Sequence, residues 1–256
     1  MLAFSQKTRL AIYCLNLQNG SFKNLALASK KAVGDARMLS EKTGVLHEAI
    51  LLASECSLKY RFSIPKSRAD SEVEKLLLPA LGSEIPSWFF FSAFITLDGV
   101  PSTQGYLAGA GKYVSQPKRD FAFGDGERIA GYCDSRVPKR SYWVYEKEWK
   151  QRGKELSSKG EPFLGFAAIN GQKFECRVCS DVRSEPAGLD TSTIALVAAN
   201  ELPKADISLY ALYKKAAIVN DCGYGLKTAP SGFGRAIESQ NASAFRRLLL
   251  NGNCLL

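Results

Sequence analysis

Two short apolar runs constrain the fold of this chain more than any other feature of its sequence. They are Ala49–Ala53 (AILLA) and Ile194–Ala199 (IALVAA), and neither contains a polar residue. Runs of this length are typical of strands that are buried on both faces of a sheet. A chain of 256 residues is long enough to bury them in a large core. We therefore expect residues 1–256 to form a single domain.

Strands and helices alternate in the first part of the chain, and hairpins follow. Apolar spacing predicts helices over Leu25–Thr43 and Glu72–Leu78. The Asn170-Gly171 pair between two apolar runs is a strong hairpin signal. This order predicts an α/β protein with a mixed sheet or two stacked sheets. The other predicted strands are Leu10–Gln18, Trp88–Leu97, Tyr142–Tyr145, Phe163–Ile169, Lys173–Val178 and Ala217–Asn220, with a helix over Leu209–Ala216 and hairpins and loops over Asp98–Gly131.

The composition argues against several classes of protein. The net charge is +9, but the Lys and Arg residues are dispersed and no nucleic-acid-binding motif is present, so we expect no nucleic-acid partner. No apolar run reaches the ~18 residues of a membrane span, and Met1–Asn16 lacks the pattern of a secretory signal. The seven cysteines are an odd number spread along the chain. Reduced thiols in a cytoplasmic protein fit this distribution better than a disulfide framework.

Metal and cofactor motifs are weak in this sequence. Cys176 and Cys179 form a C-x₂-C pair, but a zinc site needs two more ligands, and no second C-x₂-C pair is present. His47 is the single histidine. The same pair could form a redox dithiol, although it ends a predicted strand rather than opening a helix. The glycines of Gly105–Gly111 lack the strand–turn–helix context of a dinucleotide site. We expect neither a metal nor a cofactor.

Three segments carry a carboxyl, an amine and a thiol in order along the chain. Ile50–Phe62 (ILLASECSLKYRF) is an apolar strand that ends near Glu55. Val144–Pro162 contains Tyr145-Glu146-Lys147 and, further on, Gly160-Glu161-Pro162. Phe174–Pro186 (FECRVCSDVRSEP) is a strand that ends at Cys179. Together, with intervals that suit its layout, these segments resemble the three signature regions of the nitrilase superfamily of carbon–nitrogen hydrolases.

The resemblance implies a four-layer α-β-β-α sandwich and a catalytic triad of Glu55, Lys147 and Cys179. Cys179 would be the nucleophile and Glu55 the general base. Lys147 would stabilise the oxyanion together with the backbone N–H of Ser180. Glu161 falls on a second glutamate that many members of the superfamily place beside the lysine, where it would orient Lys147 or the substrate.

The resemblance also implies the class of reaction. We expect hydrolysis of a non-peptide C–N bond, in an amide rather than a nitrile, through a thioester on Cys179. Two alternatives stay open: an N-acyltransferase in which an amine intercepts the same thioester, and a binding protein that keeps the fold without the activity. Superfamily members usually pair their sheets across a two-fold axis, so we expect a homodimer or a higher homo-oligomer.

Cys176 and Cys179 are both candidates for the nucleophile. Phe174, Cys176 and Val178 alternate along a predicted strand, which places them on one apolar face and predicts a core position for Cys176. Cys179 instead begins the turn after the strand, where a thiol can project into a cleft. The sequence therefore favours Cys179 over Cys176.

Overall fold

The structure is a computed structural model of the chain. The structure describes residues 5–15, 17, 20–55, 58, 64–82, 85–97, 100–109, 112–117, 165–169, 171–179, 182, 190–200, 202, 207, 214–222, 225–229, 234–238 and 245–250. The predicted strand Tyr142–Tyr145 lies outside these described residues.

The described residues form thirteen strands and four helical segments. The strands are β1 (Ser5–Leu15), β2 (Val45–Ala53), β3 (Ile64–Pro65), β4 (Ser87–Leu97), β5 (Val100–Gly109), β6 (Lys112–Pro117), β7 (Gly165–Ile169), β8 (Gln172–Val178), β9 (Asp190–Ala199), β10 (Lys214–Asp221), β11 (Gly225–Ala229), β12 (Gly234–Glu238) and β13 (Phe245–Leu250). The helices are α1 (Phe22–Thr43), α2 (Lys66–Glu72) and α3 (Leu78–Ala80), with a π-helical turn at Val73–Leu77 between the last two.

Two sheets contain these strands, and each has a parallel centre with antiparallel edges. The first has the order β12-β13-β1-β2-β4-β5-β6, with β3 also paired to β4, and the second has the order β11-β10-β9-β8-β7. Strands β1, β2 and β4 run parallel, as do β8, β9 and β10. The apolar runs Ala49–Ala53 and Ile194–Ala199 lie in β2 and β9, so they are central strands, and both are buried.

Helix α1 begins and ends as its sequence dictates. The Ser21 hydroxyl accepts a hydrogen bond from the backbone N–H of Asn24 at 3.2 Å, which caps the first turn. Gly44 ends the helix at φ 65°, a left-handed conformation that glycine adopts without steric cost. The buried face of the helix, which includes Leu25, Ala32 and Ala36, packs on the first sheet.

Within the described residues the hydrophobic core has two parts, which define the layers. The inner part lies between the sheets and joins Ile12 and Leu52 of the first sheet to Val178, Leu196 and Ile218 of the second. The outer part lies between the first sheet and the helices α1 to α3. The described residues therefore form a mixed α/β structure with helix, sheet and sheet in succession. The fourth layer of the expected sandwich stays a prediction.

Most predicted elements are confirmed, and one difference has a physical cause. The hairpin around Gly171 is present, with Gly171 at φ 75° and β7 antiparallel to β8. The helix predicted over Leu209–Ala216 is wrong at its end, because β10 begins at Lys214. Helical spacing cannot reveal that Lys214 pairs with a distant carboxylate on β8. In the tail, for which the sequence makes no clear prediction, β12 and β13 extend the first sheet beside β1.

Candidate active site

Glu55 lies just beyond the carboxyl end of β2. The apolar run of β2 is buried, and the chain leaves it through Ser54, whose backbone N–H donates to the carbonyl of Leu15 at 3.3 Å. Ser54 and Glu55 are both fully buried. Glutamate side chains are mostly exposed in folded proteins, so full burial of one is unusual. A buried carboxyl at a strand end is therefore a strong candidate for a functional group.

Cys179 lies just beyond the carboxyl end of β8. Its φ is 44°, and among the described residues it is the one non-glycine residue with positive φ. This left-handed conformation costs a residue with a side chain about 1–3 kcal/mol, and such strain clusters at functional sites. A nucleophile on a sharp turn after a strand is the arrangement of a nucleophile elbow. Its Sγ lies 3.5 Å from the carbonyl oxygen of Asn200, and only 2% of the residue is exposed.

Glu55 and Cys179 leave the two stacked sheets at the same edge. Because β8 and β10 both run parallel to β9, their carboxyl ends share one edge of the second sheet. At that edge the side chain of Asn220 on β10 reaches the first sheet and donates to the carbonyls of Leu15 and Leu52. These carbonyls are at the carboxyl ends of β1 and β2, so the edge that carries Cys179 faces the edge that carries Glu55.

The structure separates the two cysteines of the C-x₂-C pair. Cys176 is fully buried in the inner core with Phe174 and Val178, as predicted, and this burial, with the neighbouring Glu175 carboxylate, raises the pKa of its thiol. An inert core thiol is the expected result. Cys179 occupies the turn but is also buried, so its surroundings are more enclosed than the open cleft that the sequence suggested.

Three predicted site residues lie outside the described residues. They are Lys147, Glu161 and Ser180. The structure thus brings Glu55 and Cys179 to one edge, and the completion of the triad stays a prediction. Sequence reasoning missed Asn220, which it treated as the end of a strand. The signal in the sequence was a single amide side chain closing an otherwise apolar run, Ala216–Val219.

The described residues contain no group of three or more His, Cys, Asp or Glu side chains that could hold a metal. Cys222, directly after β10, is disulfide-bonded, which differs at this one residue from the expectation that reduced thiols fit better than a disulfide framework. Cys14, Cys176 and Cys179 are not in disulfides. In the same part of the chain, no helix is long and apolar enough to span a bilayer.

A cavity of about 300 Å³ opens elsewhere, between the start of α1 and helix α2. Its walls include Phe22, Leu58 and Phe94, together with the charged residues Lys23, Arg68 and Glu72. Neither Glu55 nor Cys179 lines it. This cavity is therefore separate from the candidate active site.

No protein-family model matches the chain, and no curated protein matches it. Solved structures do. A carbon–nitrogen hydrolase superfamily protein from Xanthomonas campestris, solved with an arsenic adduct in its active site, is similar over 96% of this chain and 92% of its own, with 13% identity and a TM-score of 0.50. The chain has the nitrilase-superfamily fold. At this identity the similarity concerns the fold.

Two amidase structures are also similar to the chain. An amidase from Nesterenkonia sp. matches over 100% of this chain and 95% of its own, with 14% identity and a TM-score of 0.48. A mutant of the Nesterenkonia sp. AN1 amidase in complex with butyramide gives 12% identity, 98% and 95% coverage and a TM-score of 0.49.

Proposed function

We propose that this protein is a thiol-dependent hydrolase of non-peptide C–N bonds and that Cys179 is its nucleophile. The observation that supports the proposal is that a fully buried carboxyl, Glu55, and a thiol on a left-handed turn, Cys179, both follow strand ends on the same side of the two stacked sheets. The alternative nucleophile, Cys176, lies in the inner core and has a raised thiol pKa. Amides are the proposed substrate class, ahead of nitriles.

The first half of the reaction forms a thioester. Glu55 takes the proton of the Cys179 thiol, and the sulfur forms a bond to the amide carbon. The C–N bond then breaks, and Glu55 returns the proton to the departing ammonia or amine. The products of this step are an acyl group on Cys179 and a free amine, and the carboxylate is regenerated.

The second half releases the acyl group. Glu55 takes a proton from water, the oxygen attacks the thioester carbon, and the C–S bond breaks. The proton returns to the departing sulfur, and a carboxylic acid leaves. Both halves pass through an oxyanion on the substrate. We assign the stabilisation of this oxyanion to the ammonium of Lys147 and the backbone N–H of Ser180. Glu161 would orient Lys147. The chemistry uses only protein groups and water.

The test is a cysteine-by-cysteine comparison. The purified protein is incubated with short aliphatic amides such as butyramide, ammonia release is measured, and the intact mass is searched for an acyl adduct. Cys179→Ala should lose both signals. Cys176→Ala is the matched control, since it removes a thiol from the same strand, and it should remain active with a lower thermal midpoint because it leaves a small cavity in the inner core.

Glu55→Gln tests the base at nearly constant shape. General acid–base catalysis typically contributes about 10²–10⁴-fold, so ammonia release should fall by that amount while the circular dichroism spectrum is unchanged. The proposal fails if Cys179→Ala still hydrolyses amides, or if the adduct maps to Cys176.

A further inference from the structure

We propose that Asn220 is a positioning residue that fixes the general base Glu55 relative to the nucleophile Cys179. This inference rests on the proposed function and adds to it a residue on a different strand. Asn220 lies in β10 and is only 2% exposed. Its side-chain amide donates two hydrogen bonds, and both go to the other sheet.

The two acceptors are carbonyls of β1 and β2 beside the point where the chain leaves β2 toward Glu55. Asn220 Nδ2 donates to the carbonyl of Leu52 at 2.7 Å and to the carbonyl of Leu15 at 3.0 Å. Leu52 is three positions before Glu55. The Leu15 carbonyl also accepts from the backbone N–H of Ser54 at 3.3 Å, and Ser54 directly precedes Glu55. The amide is therefore bonded to both strands that hold the base.

The backbone of Asn220 is linked to the nucleophile through residues in register across three strands of the second sheet. Asn220 is in register with Ala198 of β9, and Ala198 is in register with Val178 of β8. Cys179 directly follows Val178. A ladder of three parallel strands thus runs from Asn220 to the residue before the thiol, so one residue links the strand end of the base to the strand end of the nucleophile.

Apolar packing alone leaves one sheet able to slide along the other in the strand direction, because the hydrophobic effect is not directional. Hydrogen bonds with defined geometry remove that freedom. A displacement of about 1 Å at a catalytic pair can cost about 10²-fold in rate. Two hydrogen bonds between the sheets, placed beside the pair, are the means by which this fold would hold the distance from Glu55 to Cys179.

The test variant is Asn220→Ala, and the matched control is Tyr13→Phe. Tyr13 lies in β1 and also makes a side-chain link between elements, since its hydroxyl donates to Asp35 of α1 at 2.9 Å. That bond is on the opposite face of the first sheet, away from the second sheet. Loss of either side-chain bond should lower the thermal midpoint by a few degrees, about 2–4 °C.

Only Asn220→Ala should change the chemistry. With butyramide as the probe, its kcat should fall by about 10–10²-fold while KM changes little, because the loss concerns alignment rather than substrate contacts. The rate at which iodoacetamide alkylates Cys179 should fall at neutral pH and shift toward the alkaline range of an ordinary thiol, since Glu55 no longer accepts the proton. Tyr13→Phe should leave both measurements as in the parent protein.

The alkylation profile needs no turnover. It therefore tests the positioning role of Asn220 even if Cys179→Ala were to show that the proposed hydrolysis is wrong. The inference is overturned if Asn220→Ala keeps the parental alkylation profile, or if Tyr13→Phe shifts it equally. If Asn220→Ala does not fold, Asn220→Ser, which keeps one donor, is judged by the same two measurements.

Discussion

Glu175 on β8 and Lys214 on β10 form an ion pair of 2.6 Å across the intervening strand β9, with side chains 1% and 2% exposed. The second oxygen of Glu175 accepts from Arg177 Nε, also at 2.6 Å. Charged side chains at this depth are stable only when they are paired. The cluster therefore fixes the pairing of β8, β9 and β10, on which the position of Cys179 depends.

Glu175→Gln should be strongly destabilising. It removes the shared acceptor and leaves two buried cations without their carboxylate, and breaking a buried pair in this way costs about 3–5 kcal/mol. Chemical denaturation with urea measures the free energy of unfolding. Glu41→Gln is the control, because the Arg37–Glu41 pair is exposed at 50% and 42%, and its loss should cost less than about 1 kcal/mol. Equal effects in the two variants would contradict the assignment.

Gly109→Ala should destabilise the first sheet. A Cβ at Gly109 would lie 2.5 Å from Cδ2 of Trp88, its partner on β4, so the ring or the strand would have to move. Overpacking of this kind costs about 1–3 kcal/mol. Gly34→Ala offers the opposite result in the same urea measurement. Gly34 lies inside α1, where an added methyl group would meet nothing within 4 Å, so alanine should stabilise the helix by about 0.5–1 kcal/mol.

Glu48→Gln should raise the thermal midpoint at pH 7 but not at pH 3. Burial raises the pKa of the Glu48 carboxyl, against a smaller lowering by its hydrogen bond to Trp88. The folded state therefore binds the proton more tightly than the unfolded state, and stability is lost as the pH rises through the raised pKa. Glutamine removes this loss. Thermal unfolding across pH 3–8 should show the difference growing with pH, and a constant difference would refute the explanation.

Lys147→Ala should lower the rate of amide hydrolysis by about 10²–10³-fold, the usual cost of one oxyanion-stabilising group. Lys150→Ala is the matched control, because Lys150 lies in the same charged stretch of the sequence. It should keep a rate close to that of the parent protein. If the two variants lose activity equally, or neither does, the lysine of the triad has been placed wrongly.

The elements that the sequence predicted well are those with a strong local pattern. Helix α1 has helical apolar spacing, a serine cap and a terminal glycine, while β2 and β9 contain unbroken apolar runs. Each of these patterns indicates which residues of its own segment are buried. Glu55 and Cys179 were found differently, because their segments resemble signature regions of the nitrilase superfamily in order along the chain.

The sequence by itself determined that there are central buried strands, where they end, and which reactive side chains stand at two of those ends. The tertiary structure alone decided that those ends face each other. Contacts between residues far apart in the chain decided the rest. They pair Lys214, in a strand, with the buried Glu175, and they bond Asn220 to Leu15 and Leu52. Local periodicity carries no information about such partners, because they are chosen by the packing of one sheet on the other.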